Sequence, residues 1–246
     1  MKRKVLGWLL ALLVGGLNAE ETVYRYRTSS ADAVIHSEVT YSPAGQGYVL
    51  KKVDLEREYV YTARLDQTFS SLDYHTVSPE QGIDVRVVLG EKALTGTGKI
   101  DHRPLDVSYP RKEAPFKHFF VFQLQPFILS PDETTVFFSL RPDNLEPYEF
   151  IARKEGLETI PVAGNAEPAV KVKVALKGIL AKWYSSYSWY RASDGILLRQ
   201  EYRDQRGRPV QVELVGSIGE LQQVVETANR FPNRRRLGML GRWPSD

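Results

Sequence analysis

The chain has 246 residues, 33 of them basic and 30 acidic, with four histidines and no cysteine. The missing cysteine excludes disulfides, thiolate metal sites, thiol nucleophiles and a lipid-modified cysteine anchor. Lys2, Arg3 and Lys4 stand at the N-terminus and five arginines lie between Arg230 and Asp246, so the body between them is acidic and offers no basic surface for gripping a nucleic acid.

The first element is a leader. Lys2, Arg3 and Lys4 precede an apolar run over 5–17, and small Ala19 stands before Glu20, the pattern of a cleavable export signal. As a helix that run covers roughly 20 Å, short of the ~30 Å hydrocarbon core of a bilayer. Residues 1–19 therefore read as a signal peptide. With neither cysteine nor an Asn-x-Ser/Thr acceptor, the exported product reads as periplasmic.

Alternation of period two dominates from residue 20 to 217 and predicts strands over 22–28, 33–41, 48–53, 58–65, 67–77, 83–89, 118–129, 134–140, 148–153, 170–177, 183–191, 196–202 and 210–215. It is cleanest where Val170, Val172, Val174 and Leu176 face one way and Lys171, Lys173 and Lys177 the other, a strand with one wet face. Turn residues at 43–47, at Asp194 and Gly195, and at 205–208 imply hairpins. The expected fold is all-β: a curved antiparallel meander or partly open β-barrel, one domain over 20–217. The Pro-marked stretches 103–115, 141–147 and 161–168 read as long loops. The glycine-bearing stretch 90–99 reads as a hairpin tip, because Ala93 and Ile100 stand where a phosphate loop needs glycine and a hydroxyl.

A helix is expected at the end. Ser217 and Glu220 fit a capping box, and Ile218, Leu221, Val225 and Ala228 recur at helical spacing until Phe231 and Pro232. Residues 218–246 thus read as an amphipathic helix that covers an open end or edge of the sheet, followed by a basic tail. Arg234, Arg235 and Arg236, with Trp243, are candidates for contact with a membrane or other anionic surface; a solvated tail is the alternative.

Little else carries chemistry. His36, His75, His102 and His118 lack metal-box spacing. Asp54, Glu56 and Glu58 share one face if their segment is extended, which a solvated face explains as well as a paired-acid site. No Gly-x-Ser-x-Gly elbow occurs. No catalytic residue, metal or cofactor is expected. Aromatics are the richer signal: Trp183, Tyr187 and Trp189 fall on one face of their predicted strand, and Phe119, Phe120 and Phe122 give theirs two apolar faces. Such rings pack as core or line a groove for an acyl chain, an amphiphile or a sugar.

Thr159-Ile160-Pro161, the run 170–177, Trp189-Tyr190, Ser193-Asp194-Gly195-Ile196-Leu197-Leu198-Arg199, Gly207-Arg208-Pro209 and Glu213-Leu214-Val215 together resemble a family of exported bacterial proteins of unknown function. The resemblance rests mainly on residues 145–216. It implies a curved antiparallel sheet, distantly similar to periplasmic lipoprotein carriers, and brings no catalytic residues.

The expected function is a non-enzymatic periplasmic protein that binds an amphiphile, a lipid or an envelope partner on a concave aromatic face. Trp183, Tyr187, Trp189, Phe120 and Phe122 are its candidate lining. The alternatives are an enzyme acting on envelope glycan or lipid, and an interaction module of an envelope assembly.

Overall fold

The computed structural model describes residues 22–178, 181, 184–204 and 206–217. The leader, Trp183, the helix expected after Ser217 and the tail with Arg234, Arg235, Arg236 and Trp243 lie outside the described residues.

Fourteen strands are described: β1 (Thr22–Ser29), β2 (Val34–Ala44), β3 (Gly47–Asp54), β4 (Tyr59–Leu65), β5 (Ser71–Ser78), β6 (Ile83–Leu89), β7 (Ala93–Ile100), β8 (Arg103–Pro110), β9 (Thr134–Leu140), β10 (Pro147–Val162), β11 (Asn165–Leu176), β12 (Ser185–Arg191), β13 (Leu197–Arg203) and β14 (Pro209–Ser217). They form one antiparallel sheet in the order β8-β7-β6-β5-β4-β3-β2-β1-β14-β13-β12-β11-β10-β9. The chain meanders outward from β1 to β8, crosses to the opposite edge, and meanders back to β14, which zips against β1. The all-β expectation holds, with the sheet curved but not closed.

Three local expectations fail for identifiable reasons. First, only 90–92 form a hairpin tip, between β6 and β7; 93–99 belong to β7, and 103–110, expected as a loop, is β8. Glycine hides this, because here it serves packing: a Cβ on Gly96 would lie 2.6 Å from a Leu145 methyl, and one on Gly98 would lie 2.0 Å from the Asp84 carbonyl oxygen. Second, 161–168 is the tip of the β10–β11 hairpin, whose prolines sit where strands tolerate them. Third, 118–129 is no strand. It is a 3-10 turn, Phe120–Phe122, and a short helix α1 (Gln125–Leu129), inside the connector that joins β8 to β9. Its apolar residues pack on several sides rather than on one face, with Phe122, Leu124, Phe127 and Ile128 buried and Leu129 exposed.

That connector holds the curl together. Phe116 pairs with Phe138 of β9, and its carbonyl accepts from the Ser71 N–H of β5 at 2.7 Å, tying one edge of the sheet to the middle of the other wing. The Lys117 ammonium donates to the carbonyls of Thr68, Phe69 and Gln123 at 3.0, 3.0 and 3.1 Å. The Gln123 amide donates to the Phe69 carbonyl and Ser71 Oγ. Phe116, Phe122, Leu124, Phe127 and Ile128 are buried against Tyr26, Leu50, Tyr61, Tyr74 and Tyr190 on the concave face, and the His118 ring stacks on Tyr74 with centroids 4.0 Å apart.

The free edge at β8 is blunted by its sequence. Arg111 N–H donates to the Lys92 carbonyl at the open end of the β7–β8 hairpin, opposite its turn, so odd-numbered residues point their amides at β7 and even-numbered ones point outward. Pro104 and Pro110 occupy two of the outward positions and supply no N–H to a stray strand.

Candidate ligand site on the concave face

The upper part of the concave face is occupied by the chain's own connector. Tyr41 Oη donates to the Phe122 carbonyl at 2.6 Å, Tyr26 Oη donates to the Leu197 carbonyl at 3.0 Å, and the Phe122 ring stands edge-on to Tyr26 at 5.1 Å. Phe122 is therefore core, 4% exposed.

Below it the turn residues Phe119 and Phe120 diverge toward the two walls of the curl, and both are half-buried. Phe119 packs on Tyr61 at 4.9 Å. Phe120 packs on Phe137 at 5.3 Å and Phe150 at 5.4 Å, with Tyr184 edge-on at 6.5 Å. Phe150 and Tyr184 are half-buried as well, and burial pushes the Tyr184 hydroxyl up to about 12, so it stays a neutral hydrogen-bonding tip.

The wall beside Phe119 is polar. Lys52 and Asp54 form an ion pair with only 14% and 11% of their side chains exposed, Ser37 Oγ donates to Asp54 at 2.7 Å, and the Lys52 ammonium lies over the rings of Tyr59 at 4.9 Å and Phe119 at 5.8 Å. Burial lowers the lysine's affinity for its proton and Asp54 opposes that shift. A charged pair and a ring cluster thus meet across one turn, an arrangement able to hold a molecule with a polar end and an apolar end.

The structure separates the aromatic residues singled out from sequence. Tyr187 and Trp189 lie opposite Lys173 and Lys171, on the face of β12 that points away from the connector. Trp189 is sandwiched between Lys171 at 5.3 Å and Arg199 at 4.7 Å, and its Nε1 donates to Glu158 at 2.9 Å. That hydrogen bond, then the Lys171 contact, holds the Glu158 carboxyl below the usual range. Tyr187 lies beneath Lys171 and Lys173. These two rings cannot line the surface that carries Phe120 and Phe122, because neighbours on a strand point to opposite faces and Ser186, Ser188 and Tyr190 are the residues turned inward. Sequence reasoning missed Phe150, Tyr184 and the Lys52–Asp54 pair. The last showed in the sequence as two separate signs, alternation at 48–53 that puts Lys52 on the face of Leu50, and Asp54 as a member of the acid row.

The acid row also resolves differently. Glu56 and Glu58 belong to the β3–β4 turn rather than to an extended face, and Glu56 accepts from the His36 N–H at 2.7 Å and meets its ring at 2.6 Å. His75 lies 2.9 Å from Asp84 on the outer face. Among the described residues no three His, Asp or Glu side chains gather as a metal site.

A curled, barrel-like antiparallel sheet with a partly filled concave face is the class these features define. No protein-family model matches the chain, and no curated protein matches it. Among solved structures it is similar to a β-barrel-like protein of the domain of unknown function DUF1849 from Brucella abortus, with a TM-score of 0.54 and 12% identity over 80% of this chain and 96% of that one. The hypothetical lipoprotein YmcC from Escherichia coli aligns at a TM-score of 0.41 and 10% identity, over 80% of this chain and 84% of that one. The likeness to the Brucella protein is one of fold.

Proposed function

We propose that this is an exported, non-enzymatic binding protein that holds an amphiphile at the lower part of its concave face. The apolar portion packs on Phe119, Phe120, Phe150 and Tyr184, and the polar end meets Lys52, Asp54 and Ser37. The observation that carries the reading is the juxtaposition of half-buried rings with a largely desolvated ion pair on the same inward surface. The leader pattern over residues 2–19 supports export. The pair is already satisfied by its own contacts and by Ser37, and a zwitterionic or polar head group is the chemistry that could add hydrogen bonds to both charges at once.

Native mass spectrometry of the chain incubated with a lysophospholipid tests this. One adduct per chain is expected, and Phe120→Glu, which places a charge among the rings, should weaken it about tenfold or more. No adduct, or an adduct equally strong in the variant, overturns the reading.

A further inference from the structure

A second feature lies on the outer face, far from the connector. Strands β5 to β8 and their turns line an open groove of about 590 Å³ bounded by His75, Asp84, Arg86, Thr97, Lys99 and His102. The register builds it: His75 lies across from Arg86, and Arg86 from Thr97 and Asp84 from Lys99. Asp84 is engaged by His75 at 2.9 Å. Among the described residues neither Arg86 nor Lys99 forms an ion pair, although Lys99 sits across from that acid. Further carboxylates stand near the groove: Asp106 lies across from Thr97, Asp73 precedes His75 by two residues on β5 and is held by Arg64, and Asp101 is in the turn at the groove's end.

The turn at the end of the groove places His102 beside the cations. Asp101 and His102 both adopt left-handed backbone angles, φ 50° and 61°, in the two central positions of the β7–β8 turn, where Asn-Gly or Asp-Gly would fit without cost. The arrangement is braced. His102 N–H donates to the Gly82 carbonyl at 3.0 Å, and any Cβ on Gly82 would come within 2.5 Å of the His102 ring. Glycine at 82 admits the imidazole, and the turn holds His102 beside the Arg86 guanidinium and the Lys99 ammonium, which form no ion pair among the described residues.

We infer that this groove is a binding site for a phosphate group, held by Arg86, Lys99, His102 and the Thr97 hydroxyl, with the His75–Asp84 pair setting its edge. A guanidinium fork beside an ammonium and a hydroxyl matches the several oxygen acceptors of a phosphate, and the open shape suits a group borne on a larger molecule as well as a free one. The site is separate from the concave face and does not rest on the amphiphile reading.

The test is an NMR titration of the chain with inorganic phosphate, and in parallel sedimentation with phosphatidylcholine vesicles containing phosphatidylglycerol. Saturable shifts at Thr97 to His102 are expected with free phosphate. Binding to the anionic vesicles, but not to phosphatidylcholine alone, identifies a lipid head group as the source. Arg86→Gln with Lys99→Gln should weaken whichever binding is seen roughly tenfold or more. His102→Gly should raise the melting temperature by removing turn strain while weakening binding, a split that a purely structural histidine would not give. If neither probe binds, or the double variant binds as well as the parent, the inference fails.

Discussion

Replacing Lys117 by methionine is expected to lower the melting temperature by roughly 6–12 °C, the equivalent of about 3 kcal/mol for a chain of this size. Lys117 is 6% exposed and is the knot between the connector and the β4–β5 loop. Removing its ammonium leaves the Thr68 and Gln123 carbonyls without that donor, whereas the Phe69 carbonyl keeps the Gln123 amide. Burial pushes the ammonium down to about 8, with Asp66 opposing, so at neutral pH the group is still largely protonated. Methionine fills the volume and removes the desolvation cost of a buried charge, which works in the opposite direction. Calorimetry decides: an unchanged or raised melting temperature would show that the cost of burying the cation exceeds the worth of its three hydrogen bonds.

The second large effect concerns acid. The Nδ1 of His118 is buried without a hydrogen-bond partner, and burial takes the ring's pKa down to about 3 from the ordinary value of 6.5. The sign follows from proton linkage. Between those two values the unfolded chain holds a proton at this ring that the folded chain does not, so stability is fully present above about pH 6.5 and is lost as the pH falls toward 3. The full difference corresponds to about 5 kcal/mol, and since part of the residue reaches the surface, roughly 3 kcal/mol is expected. His118→Phe keeps a ring against Tyr74 and removes the titration. Denaturant unfolding at pH 7 and pH 4 should show a smaller loss in the variant than in the parent; equal losses would contradict the assignment.

Lys117 and His118 also mark where sequence reading runs out. Strands with one wet face were legible because alternation and turn chemistry agree there, as at 170–177 and at Asp194-Gly195. The connector was not, because Phe119 to Phe122 are apolar without a period, and a segment enclosed by other strands loses the contrast between faces from which periodicity is read. Glycines 96 and 98 misled in the same way, for they look like flexibility along the chain and become tight contact points once Leu145 and Asp84 are in place. Register explains the aromatic residues. The spacing of Tyr187 and Trp189 correctly put them on one face, but which face turns inward depends on partners in β11, Lys171 and Lys173 outward and Val172 and Val174 inward.

The Lys52–Asp54 pair shows the same dependence on long-range pairing. Lys52 lies across from Val39 and Asp54 from Ser37, so the charges are carried inward by a strand that otherwise buries Leu50. Inward-pointing charge beside half-buried rings is the feature on which the amphiphile reading stands.

Paramagnetic broadening by a stearate carrying a nitroxide near its methyl end is the most direct measurement. With the probe bound, amide signals around Phe119, Phe120 and Phe150 should be lost selectively, with Tyr187 and Trp189 on the outer face unaffected. Broadening centred on Tyr187 and Trp189, or none at all, would contradict it.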